Sequence, residues 1–165
     1  MEDFKMLPEG TLAELINGEL FMSPAPSLEH QRVSRIISHA LDAYISGNKN
    51  GEIFYAPTDV YFDEHANAVQ PDIIYVSDEN KHILHRDGIH GTPDLLIEIL
   101  SGNTLHDLVR KKALYETFGV REYWIVNPDT KEATGYVWKA LKYDAPIHMT
   151  GKMRLSILNG HTVEF

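Results

Sequence analysis

The chain has 165 residues, 43% hydrophobic and 24% charged, a balance that fits one globular domain burying about 70% of its unfolded surface and excludes fibrous, disordered and disulfide-stapled classes. Against 24 Asp and Glu stand 15 Lys and Arg, a formal net charge of −9. That balance opposes non-specific attraction to a phosphate backbone, so any nucleic-acid contact has to be local and metal-assisted. Cysteine is absent, which excludes disulfides and thiolate zinc sites and suits a reducing compartment. No basic-then-apolar leader opens the chain and no apolar run nears the ~18 residues of a membrane span, so a cytoplasmic protein outside the membrane is expected.

In chain order, residues 12–22 read as two short strands around Asn17-Gly18, a pair that tolerates the positive φ angles of a type I′ turn. Ser27 is a plausible N-cap for an amphipathic helix whose apolar stripe is Val33, Ile36, Ile37, Ala40, Leu41 and Tyr44, ending at Gly47 next to Asn48. Residues 53–62 are aromatic and β-branched and predict a strand; a polar turn over 63–68 separates it from a second at 73–76. The polar stretch 77–92 reads as a loop with a short helical turn. Residues 94–100 are apolar on both faces apart from Asp94 and Glu98, as expected of a central strand covered on both sides. Thr104, with Asp107 three residues on, starts a helix over 105–118 that Gly119 ends in a left-handed conformation. A strand over 122–126 stops at Asn127-Pro128-Asp129, and short stretches at 134–138, 141–143 and 153–158 predict a terminal meander. Without repeat or linker, residues 1–165 form one expected domain, α/β or α+β, with a mixed sheet packed between helices.

The chemistry concentrates at Glu98, because an ionised carboxylate in a doubly covered strand needs a cation or a metal as partner. Asp94 shares its face but stands ~13 Å away along the strand, too far to share one ion, and serves better to organise the loop into the strand. Asp72, at the entrance to the 73–76 strand, can approach Glu98 because adjacent strands lie only ~4.8 Å apart. Two such carboxylates suit a hard divalent cation, Mg²⁺ above all. On the 105–118 helix, Lys111 emerges in an apolar sector with Leu114, Tyr115 and Phe118; it either has a function or makes an i, i+4 surface pair with Asp107 worth ~0.2–0.5 kcal/mol. A structural ion pair for Glu98 stays open as the alternative to metal. Glu14 and His30 read as surface groups near the site, Tyr115, Tyr123, Trp124 and Trp138 as packing, and His82 with His85 lacks a third ligand for zinc.

The stretches Glu14-Leu-Ile-Asn-Gly18-Glu, His30, Gln70-Pro-Asp72, Pro93-Asp94-Leu-Leu-Ile-Glu98-Ile-Leu-Ser101, Asp107 with Lys111 and Tyr115, and Gly119-Val-Arg-Glu-Tyr-Trp-Ile-Val126 together resemble the "Uma-two" restriction endonucleases of the PD-(D/E)XK nuclease superfamily over most of the chain. The resemblance implies a restriction-endonuclease-like core, a mixed four-stranded sheet flanked by helices, with an N-terminal hairpin and C-terminal β additions. It implies Asp72 and Glu98 as metal-binding acids, completed by the main-chain carbonyl of Ile99. Where the superfamily usually has lysine two residues after the glutamate, this chain has Leu100; Lys111 is the expected replacement, with Lys112 as fallback. Gly102-Asn103 stands where relatives commonly have Pro-Ser.

The resulting expectation is a Mg²⁺-dependent endonuclease, with Mn²⁺ as possible substitute, that hydrolyses DNA phosphodiester bonds while Lys111 positions the attacking water, with no covalent intermediate and no small-molecule cofactor. A homodimer is expected because two symmetric sites cut both strands of a duplex most simply. Two other readings stand beside it: a catalytically silent nuclease fold serving as a binding or assembly module, and an interaction domain in which Lys111 satisfies Glu98 without any ion.

Overall fold

The computed structural model describes residues 1–8, 10–101 and 105–165, with backbone alone at 105–107. After one helical turn, α1 (Glu2–Lys5), the expected hairpin forms from β1 (Ala13–Ile16) and β2 (Glu19–Met22). Asn17 and Gly18 close it at φ 51° and 81°, the left-handed values the turn demands. Ser27 caps α2 (Leu28–Asn48) by accepting from the His30 amide at 3.2 Å. The helix runs one residue past Gly47, because Lys49 supplies the left-handed residue at its end.

The single strand expected over 53–62 is two: β3 (Gly51–Tyr55) and, beyond Pro57, which has no amide to give a ladder, β4 (Val60–Tyr61). β5 (Ala68–Val69) and β6 (Ile73–Ser77) follow. The 77–92 stretch holds its expected helical turn, a 3₁₀ turn at Asp78–Ile83, and also two short strands that the reading missed, β7 (Leu84–His85) and β8 (Gly88–His90). Next come β9 (Leu95–Ile99), α3 (Leu105–Phe118) and β10 (Glu122–Val126), with Gly119 at φ 74° after the helix. Thr104 and Gly102-Asn103 lie outside the described residues, as does the side chain of Asp107. The chain continues through β11 (Glu132–Lys139), β12 (Lys142–Tyr143), β13 (Ile147–Thr150), β14 (Lys152–Leu155) and β15 (His161–Glu164). The expected 153–158 strand stops at Leu155 because the Ser156 and Ile157 amides turn away to the Glu122 carboxylate, at 3.1 and 2.7 Å.

Among the described residues the main sheet runs β12-β11-β10-β9-β6-β3, with β13 also on β11. Only β9 and β10 pair in parallel; the other neighbours are antiparallel. The class is therefore mixed α/β, as expected, but the C-terminal strands β11 to β13 extend the sheet beyond the four of the resemblance instead of forming a meander of their own. A second sheet, β2-β1-β5-β4-β8-β7, grows from the N-terminal hairpin.

Side chains alternate across each strand, so β6 and β9 send Ile73, Tyr75, Leu95 and Ile97 to the α2 face, against Val33, Ile37 and Leu41. Ile74, Val76 and Leu96 go to the α3 face, against Leu114 and Tyr115. All five residues of β9 are buried, the doubly covered strand that the apolar run at 94–100 demands. Among the described residues no helix is long and apolar enough to cross a membrane.

Candidate functional site

The register of β6 on β9 sets Ile73 opposite Ile97. One residue further out, Asp72 faces Glu98 across the antiparallel pair, on the α3 side of the sheet. Asp72 Oδ2 accepts from the Ile99 amide at 2.7 Å and contacts His30 Nε2 at 3.1 Å. Glu98 Oε1 accepts from Lys111 Nζ at 3.1 Å and from the Tyr115 hydroxyl at 2.7 Å. Lys111 Nζ also meets Glu14 Oε1 at 2.9 Å, and that oxygen accepts the Gln70 amide at 2.9 Å. Asp72, Glu98, Ile99 and Lys111 thus line one cleft of about 350 Å³ together with Glu14 and His30.

The expectations for Glu14 and His30 need correcting. Glu14 and His30 are not surface groups: they are 3% and 5% exposed. Glu14 sits on β1, whose four residues are all buried, and the signal was an acid inside the apolar run Leu12 to Ile16, the same signal that picks out Glu98. His30 continues the buried stripe of Val33, Ile37 and Leu41 back by one turn. Tyr115 packs, as expected, but also bonds Glu98. Lys112, the fallback cation, lies elsewhere, with Nζ over the rings of Tyr136 and Tyr143 at 5.0 and 5.6 Å.

Asp94 orders the strand entrance: Oδ2 accepts from the Ser77 amide at 2.8 Å, and Oδ1 pairs with Arg121 at 3.1 Å. The Ile99 amide bonds toward β6 while the Leu100 amide bonds Val126, so the Ile99 carbonyl projects on the same edge as Asp72.

Burial pushes the Glu98 carboxyl up to about 8; the Lys111 ammonium opposes this, and Asp72 and Glu14 add to it. Burial, with Glu98 beside it, holds the Tyr115 phenol well above its ordinary range. The proton on Glu98 has a natural seat, since both donors use Oε1 and Oε2 accepts nothing from any described residue. Asp72 Oδ1 is in the same condition. These two oxygens and the Ile99 carbonyl are hard donors of the kind Mg²⁺ and Mn²⁺ take; Mg²⁺ commonly needs only one or two carboxylates and keeps water elsewhere. Among the described residues no group of three or more His, Asp or Glu side chains could hold a metal.

A family model named Uma2, described as "Putative restriction endonuclease", matches residues 1–157. No curated protein matches the chain. Among solved structures, the chain is similar to that of "a putative nuclease belonging to DUF820 from Anabaena variabilis ATCC 29413", at 17% identity and a TM-score of 0.80, over 99% of this chain and 93% of that one. At that identity the likeness carries the fold.

Proposed function

The chain belongs to the Uma2 family, and from that premise we propose that it is a metal-dependent endonuclease hydrolysing DNA phosphodiester bonds. The observation that supports this reading most is the opposition of Asp72 and Glu98 in one cleft with Lys111 Nζ 3.1 Å from Glu98. Asp72, Glu98 and the Ile99 carbonyl would hold Mg²⁺ or Mn²⁺, which when bound polarises a phosphate and lowers the pKa of a coordinated water. Leu100 brings no cation to the strand, and Lys111 reaches the same place from α3. Pinned by Glu14 and Glu98, its ammonium orients the attacking water and offsets negative charge as it develops. Tyr115 fixes the Glu98 rotamer, and His30 fixes that of Asp72. Because Glu98 must lose its proton to ligate, apparent cation affinity rises with pH up to about 8. Each cleft serves one strand, so two symmetric clefts in a homodimer cut both strands of a duplex most simply.

A second reading draws on the same bonds. Lys111 and Tyr115 already satisfy Glu98 Oε1, as an interaction domain without an ion, or a silent nuclease fold, would have it. Nicking of supercoiled plasmid at low salt with Mg²⁺ or Mn²⁺ separates the readings. The nuclease is expected to nick, and EDTA, Asp72→Ala and Glu98→Gln to abolish nicking. No nicking, with no thermal stabilisation of the wild type by either cation, would overturn it in favour of the interaction domain.

A further inference from the structure

The cleft does not end at Asp72. A second groove of about 440 Å³ shares Leu12, Pro26, His30, Ala56 and Asp72 with it and continues between α2 and β3, the edge strand of the main sheet. Gln31, Arg35 and His39, spaced four residues apart on one stripe of α2, form its wall. From His30 to His39 the helix advances about 13 Å. Opposite them stands Tyr55, 43% exposed at the end of β3. Arg35 is exposed and pairs with no described residue, unlike Arg32, which Glu29 holds at 2.9 Å. On the other side of Asp72, the Arg110 guanidinium lies 4.6 Å over the Phe21 ring at the cleft wall. An aromatic ring and a permanent cation thus lie on each side of the acids.

The chemistry of these walls selects a substrate form. A duplex offers phosphates and hides its base faces, and proteins that hold it typically neutralise about 6–10 phosphates. Among the described residues this groove offers one unpaired arginine, in a chain of net charge −9, which falls short of such an array. An exposed ring, Tyr55, beside an exposed cation, Arg35, is instead equipment for an unpaired nucleotide, whose base stacks on the ring while its phosphate meets the charge. Resting on the nucleic-acid reading of the cleft, we propose that this groove carries a single-stranded segment of the substrate into the site, with a base stacked on Tyr55 and a phosphate on Arg35. The unpaired nucleotides lie beside the scissile bond, so a locally opened duplex or a flap also satisfies the groove.

Fluorescence anisotropy with a labelled twelve-nucleotide oligo(dT), and with its duplex with oligo(dA), tests this on the full chain in EDTA at low salt. The single strand is expected to bind at least tenfold more tightly than the duplex. Tyr55→Ala should weaken it by about tenfold and Tyr55→Phe restore it. Arg35→Ala should lower the slope of log affinity against log salt by about 0.7, the share of one single-strand phosphate. Lys152→Ala, a lost charge at an exposed position of β14, should change neither. Equal binding of duplex, or indifference to both Tyr55→Ala and Arg35→Ala, overturns the proposal; should Tyr55→Ala fail to fold, the Arg35→Ala salt slope alone decides. A wild type that nicks plasmid yet is indifferent to these substitutions loses only the groove assignment, whereas one that neither binds nor cuts any nucleic acid loses the nuclease reading as well.

Discussion

Lys111 is 6% exposed and lies within 3.1 Å of two carboxylates. Removing its charge strands the Glu14 carboxylate in a low-dielectric interior, and breaking a buried pair in this way costs about 3–5 kcal/mol. Lys111→Met should therefore lower the urea midpoint at neutral pH far more than Glu98→Gln, which keeps the shape and neutrality of the protonated carboxyl. Equal losses would mean that the lysine serves packing alone. The native Glu98 carboxyl holds its proton up to about 8, against 4.5 for the ordinary group. Native protein thus binds more protons than unfolded chain between those values, and stability falls as pH rises through that window, by at most about 1.4 kcal/mol per unit. Thermal midpoints measured in EDTA from pH 5 to 8 should decline for the wild type and flatten in Glu98→Gln.

At the scale of elements, the Trp124 ring on β10 lies over β11 in space that the missing side chain of Gly135 leaves open. A Cβ at Gly135 would stand 2.5 Å from the Trp124 ring. That ring is fully buried and anchored through Nε1 to Glu122 Oε1 at 2.8 Å, so it cannot yield. Gly135→Ala should destabilise by about 1–3 kcal/mol, an overpacking loss visible in the urea midpoint, with the fold retained. The opposition of Asp72 and Glu98 is legible in sequence because Glu98 lies within a strand and Asp72 one residue before its neighbour, where the period of two still sets the face. Glu14 and His30 are less so. Their burial comes from pairing and packing across long stretches of chain: β1 meets β5, and His30 meets Asp72. Local patterning marks both as buried, but not which distant groups they meet.

For the whole molecule, an ion that binds only the native state must raise its stability. At a hundredfold excess over its dissociation constant the gain is about 2.7 kcal/mol. Mn²⁺ should raise the wild-type melting midpoint and leave that of Asp72→Asn unmoved; a shift of equal size in both would place the ion elsewhere. Sequence by itself determined the hairpin turn at Asn17-Gly18, the capped helix α2 and the doubly buried β9 with the acid Glu98 in it, because turn geometry, periodicity and the cost of burying charge act over a few residues. Only the tertiary structure decided that Glu14 clamps Lys111, that Tyr115 bonds Glu98, that β11 to β13 extend the main sheet, and that a groove with Tyr55 and Arg35 runs into the cleft. Those outcomes depend on which distant segments meet, and that is set by the packing of whole faces rather than by any local pattern.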